Sequence, residues 1–316
     1  MNPDPKTVSR FAADLDALVA PGTKIGVAVS GGPDSLALLL LANAARPGFV
    51  EAATVDHALR AESRAEAGMV ASVCKRIGAP HSILTIDWPK PPKSNMQAQA
   101  REARYELLGA WARGAGITAV ATAHHLDDQA ETLLMRLARG AGIGGLGSVR
   151  TRRPLVKGAE LVRPLLGWRK SELTALVKAA GLDPVDDPSN RDPRHDRVRM
   201  REWLKRADWA EPERIAASAA WLDEADQALD WALKPLAATR ITRADGAVTI
   251  DPSDVPRELQ RRLLLAAFAE LGVHRPRGPE LTRAMDTLAK GGVTTLAGLK
   301  LQGGRTWKLR LAPPRR

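Results

Sequence analysis

Between Ile25 and Leu41 the chain reads IGVAVSGGPDSLALLLL. A β-branched apolar run stops at Ser30-Gly31-Gly32-Pro33-Asp34-Ser35, and a leucine-rich helical pattern begins at once. The expected order is strand, tight loop, helix. Two glycines let the backbone turn closely and aim N–H groups at a ligand, and the hydroxyls of Ser30 and Ser35 flank the helix start. Such a loop suits an anion, phosphate above all, although glycine pairs also serve as plain turns between strands and helices. It is not a Walker loop, because no Gly-Lys-Ser/Thr occurs anywhere in the chain. Gly140-Ala141-Gly142-Ile143-Gly144-Gly145 satisfies the dinucleotide spacing but follows an expected helix, Asp128 to Arg139, where that fingerprint requires a strand.

The rest of the chain continues the alternation. Residues 6–19 read as an amphipathic helix carrying Val8, Phe11, Leu15, Leu18 and Val19 on one face. Strands are expected at Val50 to Val55, His81 to Ile86 and Ile117 to Thr122, with helices at Ser63 to Ile77 and Asn95 to Arg113. Together with the first strand these predict a parallel sheet with helices on both faces, wound by right-handed crossovers. Residues 150–206 read as arginine-rich and loop-like, with a helix near Lys170 to Ala180 and turn formers at Asp186 to Asn190. Helices are expected over 211–235 and 255–271, and Val293 to Leu301 can pair with Thr306 to Leu311 as a small hairpin. A domain boundary is placed near residue 208, giving a catalytic 1–208 and a mainly helical, basic-tailed 209–316.

Net charge is +11, and its distribution matters more than its sum: +1 over residues 1–149, +7 over 150–206, −6 over 207–259 and +9 over 260–316. Two basic blocks around an acidic spacer predict a polyanionic partner, nucleic acid first. Arginine-rich genome composition accounts for the number of arginines but not for sorting the acids away from them. The only cysteine, Cys74, excludes an internal disulfide, four-cysteine zinc sites and iron–sulfur clusters, and reads as a core residue. No apolar run reaches the length of a membrane span and the N-terminus lacks a signal-peptide core, so a cytoplasmic protein is expected.

Candidate site residues collect at strand ends, where an open α/β sheet forms its ligand crevice. Asp56 and His57 end the second strand, and Arg101 and Arg104 share a helix face suited to bracketing phosphate. The fourth strand delivers His124-His125-Leu126-Asp127-Asp128-Gln129-Ala130-Glu131-Thr132. Asp128 and Glu131 share a helix face, and two close carboxylates call for a cation between them, metal or ammonium. Acids at a helix N-terminus also stabilise its dipole, which is the structural alternative.

These stretches together resemble the bacterial tRNA(Ile)-lysidine synthase family, a branch of the PP-loop ATP pyrophosphatases. The likeness runs from about residue 24 to 206. It rests on Ser30 to Ser35, Val55 to Arg60, Arg101 to Tyr105, His124 to Thr132, Arg139 to Leu146, Arg163 to Leu166 and Asp187 to Asn190. The chain departs from the family at His195-Asp196-Arg197-Val198-Arg199, where Arg-Asn-x-Ile-Arg is usual. The resemblance implies that ATP adenylates C2 of the wobble cytidine of a tRNA(Ile) with a CAU anticodon, and that free L-lysine then displaces AMP to give lysidine. It implies ATP binding by Ser30, Gly31, Gly32, Pro33, Asp34, Ser35, Asp56 and His57, with Mg²⁺ placed by Asp34. It implies that Arg104 stabilises charge on the α-phosphate, that Asp128 and Glu131 hold lysine, and that His125 accepts a proton. Contact with tRNA would fall to Arg163, Arg197 and Arg199. Oligomeric state stays open, a homodimer included. The alternatives are a PP-loop tRNA thiolase, which usually needs paired cysteines, and an RNA-binding protein with a vestigial ATP site.

Overall fold

In the computed structural model, residues 2–58, 62–88, 96–147, 149–185 and 192–312 are described. The chain divides into two units: residues 1–138 with 148–219, and residues 139–147 with 220–316. The charge break near residue 208 and this division, which falls inside a helix, are different boundaries.

The first unit is built round a helix that is apolar on every side. In α2 (Pro33–Ala45) every residue from Leu36 to Ala42 is buried. Such a helix must be covered all round. It packs against α1 (Pro5–Asp16) and α7 (Lys170–Ala179), and its residues share one core with Val27 and Ala52 of the sheet. The sheet has six strands, β1 (Ile25–Ala28), β2 (Val50–Asp56), β3 (His81–Thr85), β4 (Ala119–Ala121), β5 (Arg152–Val156) and β6 (Ala159–Val162), in the order β3-β2-β1-β4-β6-β5. Alternation along β1 puts Val27 in the core with α2 and Ala28 in a second core, on the other face, with Leu108 and Ala112 of α4 (Met96–Gly114). Helix α3 (Glu62–Ile77) adds Val70, Val73 and Cys74 to the first core. Burial raises the Cys74 thiol to about 11, so it is an inert packing residue, as expected.

Four of the strands and their helices lie within a few residues of the expected ranges. Strands β5 and β6 fall in the stretch read as loop-like. β6 pairs parallel to β4, whereas β5 is an antiparallel edge strand whose register shifts between Pro154 and Val156. The sheet is therefore mixed, with its parallel part as expected and a hairpin added at one edge. Helices α5 (Leu126–Leu137) and α8 (Asp196–Arg206) complete the unit's functional edge, and α9 (Pro212–Arg240) carries the chain across the division. The turn formers Asp186 to Asn190, like Leu59 and Arg60, lie outside the described residues.

The second unit contains the four-residue helix α6 (Ile143–Leu146) and more strand than the sequence suggests. β7 (Ile241–Ala244), β8 (Ala247–Ile250), β9 (Val293–Leu296), β10 (Leu299–Gln302) and β11 (Trp307–Leu311) form an antiparallel sheet ordered β7-β8-β11-β10-β9. The expected pairing of Leu301 with the last strand is present, opposite Leu309. Residues 293–301 are not one strand, however, because Ala297 and Gly298 both take left-handed φ and fold them into a hairpin; Asp245 and Gly246 do the same between β7 and β8. Helices α10 (Arg257–Glu270) and α11 (Gly278–Ala289) share the core, with Leu263, Phe268, Leu281 and Leu288 joining Val248, Leu301 and Trp307.

Part of the charge segregation is resolved inside this unit. Arg262, 6% exposed, is held by Asp226, Asp230 and Glu258, so acids of the spacer neutralise a cation of the basic tail.

Candidate active site

Strand order decides where the site lies. From β1 the chain moves outward to β2 and β3, then returns to place β4 on the other side of β1. The crevice at such a reversal opens beyond the carboxyl ends of the two central strands. Here those ends are Ser30 to Ser35 after β1 and Thr122 to His125 after β4. A cavity of about 820 Å³ occupies the place, lined among others by Ser30, Gly32, Asp34, Arg104, His124 and Asp128.

The loop's geometry separates residues that the sequence treats alike. Gly31 has φ +85°, and a Cβ there would lie 2.9 Å from Val185, so both conformation and space demand glycine. Gly32 has an ordinary φ of −71°, with nothing nearer to a Cβ than Ser30 Oγ at 3.8 Å. The Ser35 hydroxyl works within the loop, donating to the Gly32 carbonyl at 2.9 Å and accepting the Ser30 N–H at 3.1 Å. With Gly32 as N-cap and Pro33 at the first turn, no side chain caps α2, which leaves its N-terminal amides to a ligand.

Asp34 has one carboxylate oxygen, Oδ1, buried without a hydrogen-bond partner among the described residues. Its Oδ2 is 3.6 Å from His125 Nε2 and 3.9 Å from Lys170 Nζ. An orphaned carboxylate oxygen in the first turn after a phosphate loop fits Mg²⁺, which binds through one or two carboxylates plus substrate phosphates. No cluster of three or more His, Cys, Asp or Glu side chains able to cage a metal occurs among the described residues, so an all-protein site does not compete.

The two adjacent histidines are shifted in opposite directions. Burial pushes the His124 imidazole down to about 3 against the pull of Asp128, with Arg163, Arg101 and Arg197 adding to the lowering, so it is neutral. Burial also works against protonation of His125, but the neighbouring carboxylates of Asp34, Asp128 and Asp127 prevail and raise it. His125 Nε2 is 3.6 Å from Asp128 Oδ2 as well as from Asp34. The imidazole thus lies between two carboxylates, while its Nδ1 accepts the Asp128 amide at 3.4 Å. Asp128 is drawn the other way: burial raises its carboxyl, and His125, Arg197 and the hydrogen bond from the His125 amide overcome that and lower it.

Glu131 and Asp128 do not act as one pair. Asp128 lines the cavity, whereas Glu131 is 2% exposed and clamped by Arg201 at 2.7 Å and Arg197 at 3.2 Å, both on α8. Asp127 fastens the start of α7, accepting from the Lys170 amide at 2.8 Å and pairing with Arg169 at 3.2 Å.

The expected arginines divide similarly. Arg104 faces the cavity with no ion-pair partner among the described residues; burial and the neighbouring Arg101 lower its pKa against the pull of Tyr105. Arg163, expected on a tRNA surface, is 4% exposed, donates to the Arg150 carbonyl and is lowered to about 10, chiefly by burial. Its charge can contribute to the local field, but its side chain is not a surface contact. Arg197 is committed to Glu131 and Thr132 and also lines the cavity, and Arg199 is exposed and paired with Asp196.

Asp56 and His57 end β2 but do not line the cavity. The Asp56 carboxylate is spent within the chain, accepting from Ser63 Oγ at 2.6 Å and the Ala58 amide at 2.9 Å, and those bonds help to lower its pKa. Sequence reasoning missed Lys170, Arg201 and Lys205, all of which line the cavity. Lys170 places an ammonium near the phosphate loop from a remote segment, and no local signal marks it.

An anion loop at the reversal of a largely parallel sheet, with an acid at the start of its helix, defines a nucleotide-binding PP-loop domain. Residues 5–207 match the family model described as PP-loop domain. The tRNA(Ile)-lysidine synthase of Novosphingobium aromaticivorans is 49% identical, over 98% of this chain and 94% of its own length. That of Zymomonas mobilis is 42% identical, over 93% and 90%. Among solved structures, the U34-tRNA thiolase NcsA from Methanococcus maripaludis superposes with a TM-score of 0.56 over 69% of this chain and 79% of its own; at 17% identity this reports the fold alone. The chain belongs to the tRNA(Ile)-lysidine synthase family. Among the described residues no helix is long and apolar enough to cross a membrane.

Proposed function

We propose that this chain joins L-lysine to C2 of the wobble cytidine of a tRNA(Ile) with a CAU anticodon, using ATP and passing through an adenylated tRNA. The observation that carries the reading is the layout of one cavity: phosphate-loop amides and Asp34, the guanidinium of Arg104, and the Asp128 carboxylate beyond His125.

In the first step the cytidine O2 attacks the α-phosphorus and the bond to the bridging oxygen of pyrophosphate breaks. The loop amides of Gly31, Gly32, Asp34 and Ser35 hold the departing pyrophosphate, and Arg104 and Lys170 offset the charge that grows on the phosphates. Mg²⁺ held by Asp34 supplies further charge neutralisation when bound. In the second step the ε-amine of lysine attacks C2, the C2–O bond breaks and AMP leaves. Asp128 pairs with an ammonium of the incoming lysine. His125 keeps Asp34 and Asp128 in register as a positioning residue, and Glu131 positions the α8 wall by holding Arg197 and Arg201.

Incubating the chain with ATP, labelled lysine and a tRNA(Ile) transcript tests the reading. The expected result is lysine-dependent release of AMP with one lysine incorporated per tRNA. AMP release indifferent to lysine, with no label in the tRNA, would overturn it.

A further inference from the structure

Helix α8 has two different sides. Arg197, Val198, Arg201, Glu202 and Lys205 face the cavity, and Trp203 stands on the other side of the helix, four residues after Arg199 and three before Arg206. Trp203 is 44% exposed. After α8 the chain turns through Ala207, whose amide caps the helix, and brings back Trp209, 73% exposed. The two rings meet edge to face, with centroids 5.6 Å apart and planes at 79°. Two large apolar rings held in water at fixed geometry, with Arg206 and the Asp196-paired Arg199 exposed on the same side of the helix, are a costly surface for a monomer to keep without use.

We propose that the Trp203–Trp209 pair is a stacking platform for an unpaired base of the RNA substrate, next to the nucleotide that enters the cavity. The inference rests on the reading of the chain as an RNA-modifying enzyme and adds the surface that holds the loop. Chemistry on a base requires taking it out of its stack, which deprives its neighbours of a stacking partner. An exposed indole face replaces that partner whatever the base, and the surrounding cations meet the adjoining phosphates. One helix then serves both needs, its inner side walling the reaction chamber and its outer side carrying the neighbouring nucleotide.

The test uses the full chain and a synthetic RNA hairpin with a CAU loop. In a Trp203→Ala/Trp209→Ala double variant the dissociation constant for the hairpin rises about 10- to 100-fold, the scale of losing base stacking. In Trp203→Phe/Trp209→Phe it stays within a few-fold of the parent. Because no phosphate contact is removed, the slope of log affinity against log salt is unchanged, and so is ATP binding. Parent-like binding by the alanine variant overturns the platform alone, as does a loss that appears only as a change of salt slope. Failure of the parent chain itself to bind the hairpin overturns the platform together with the RNA-modifying reading.

Discussion

His125 Nε2 lies 3.6 Å from Asp34 Oδ2, so the strand-end imidazole of β4 reaches the first turn of the helix that follows β1. That relationship joins the two sequence motifs across the sheet reversal, and its charge state is a measurable property of the fold.

Burial opposes protonation of His125, but its carboxylate neighbours prevail and its pKa is raised above the ordinary 6.5. A raised folded-state value contributes stability that is fully present below the unfolded pKa and lost as pH rises through the folded one. Denaturant unfolding of the parent should therefore show stability declining from about pH 6.5 upward, through the raised value. The same measurement on His125→Gln should lack that component. An identical pH dependence in the two proteins would remove the bridging role.

Asp128 and Glu131, three residues apart, should behave differently. Asp128→Asn keeps an acceptor for the His125 amide and removes the charge facing the cavity. It should raise the lysine requirement about 10- to 100-fold, the worth of one charged hydrogen bond, with pyrophosphate release near normal. Glu131→Gln leaves Arg197 and Arg201 without their shared anion and should cost about 3 kcal/mol in stability, with both half-reactions impaired. Chemical denaturation beside lysine-dependence curves distinguishes the two. A Glu131 variant of parental stability whose defect is confined to lysine would return that residue to the lysine pocket.

The two loop glycines should likewise separate. Gly31→Ala forces a side chain into the left-handed region, about 1 to 2 kcal/mol before the contact with Val185 is relieved. Gly32→Ala should leave stability within about 0.5 kcal/mol. Melting temperatures of the two variants settle the order, and equal losses would contradict the geometry.

Asp34→Asn should slow adenylation by at least about a hundredfold, the scale of losing one preorganised electrostatic contact to a transferring group. Titrating Mg²⁺ while following pyrophosphate release should show a higher metal requirement. Parental rates across that titration would assign the orphaned oxygen another role.

What the sequence disclosed and what it concealed follow from the range of the interactions. The strand, loop and helix at Ile25 to Leu41 and the acids after β4 are contiguous, and their periodicity and composition are read directly. Edge strand β5 was hidden because Arg152, Arg153 and Pro154 resemble loop, and an antiparallel edge tolerates proline where a central strand does not. The partners of Glu131 lie on α8, far along the chain, so two carboxylates on one helix face read as a shared cation site although only one reaches the cavity. Lys170 and the Trp203–Trp209 contact are likewise products of tertiary folding.

The glycine-rich segment of residues 139–147 belongs to the second unit although first-unit sequence flanks it on both sides. Within that unit it lies against α9, where a Cβ on Gly144 would be 3.1 Å from Asp226 and one on Gly147 3.1 Å from Asp223. No single cut in the gene can therefore release either unit whole. A chain stopped at residue 208 keeps these glycines and discards the aspartates they rest on, whereas one begun at residue 209 has the aspartates and no loop to meet them. Separate expression calls for a graft, with 139–147 excised from one piece and rejoined to the other.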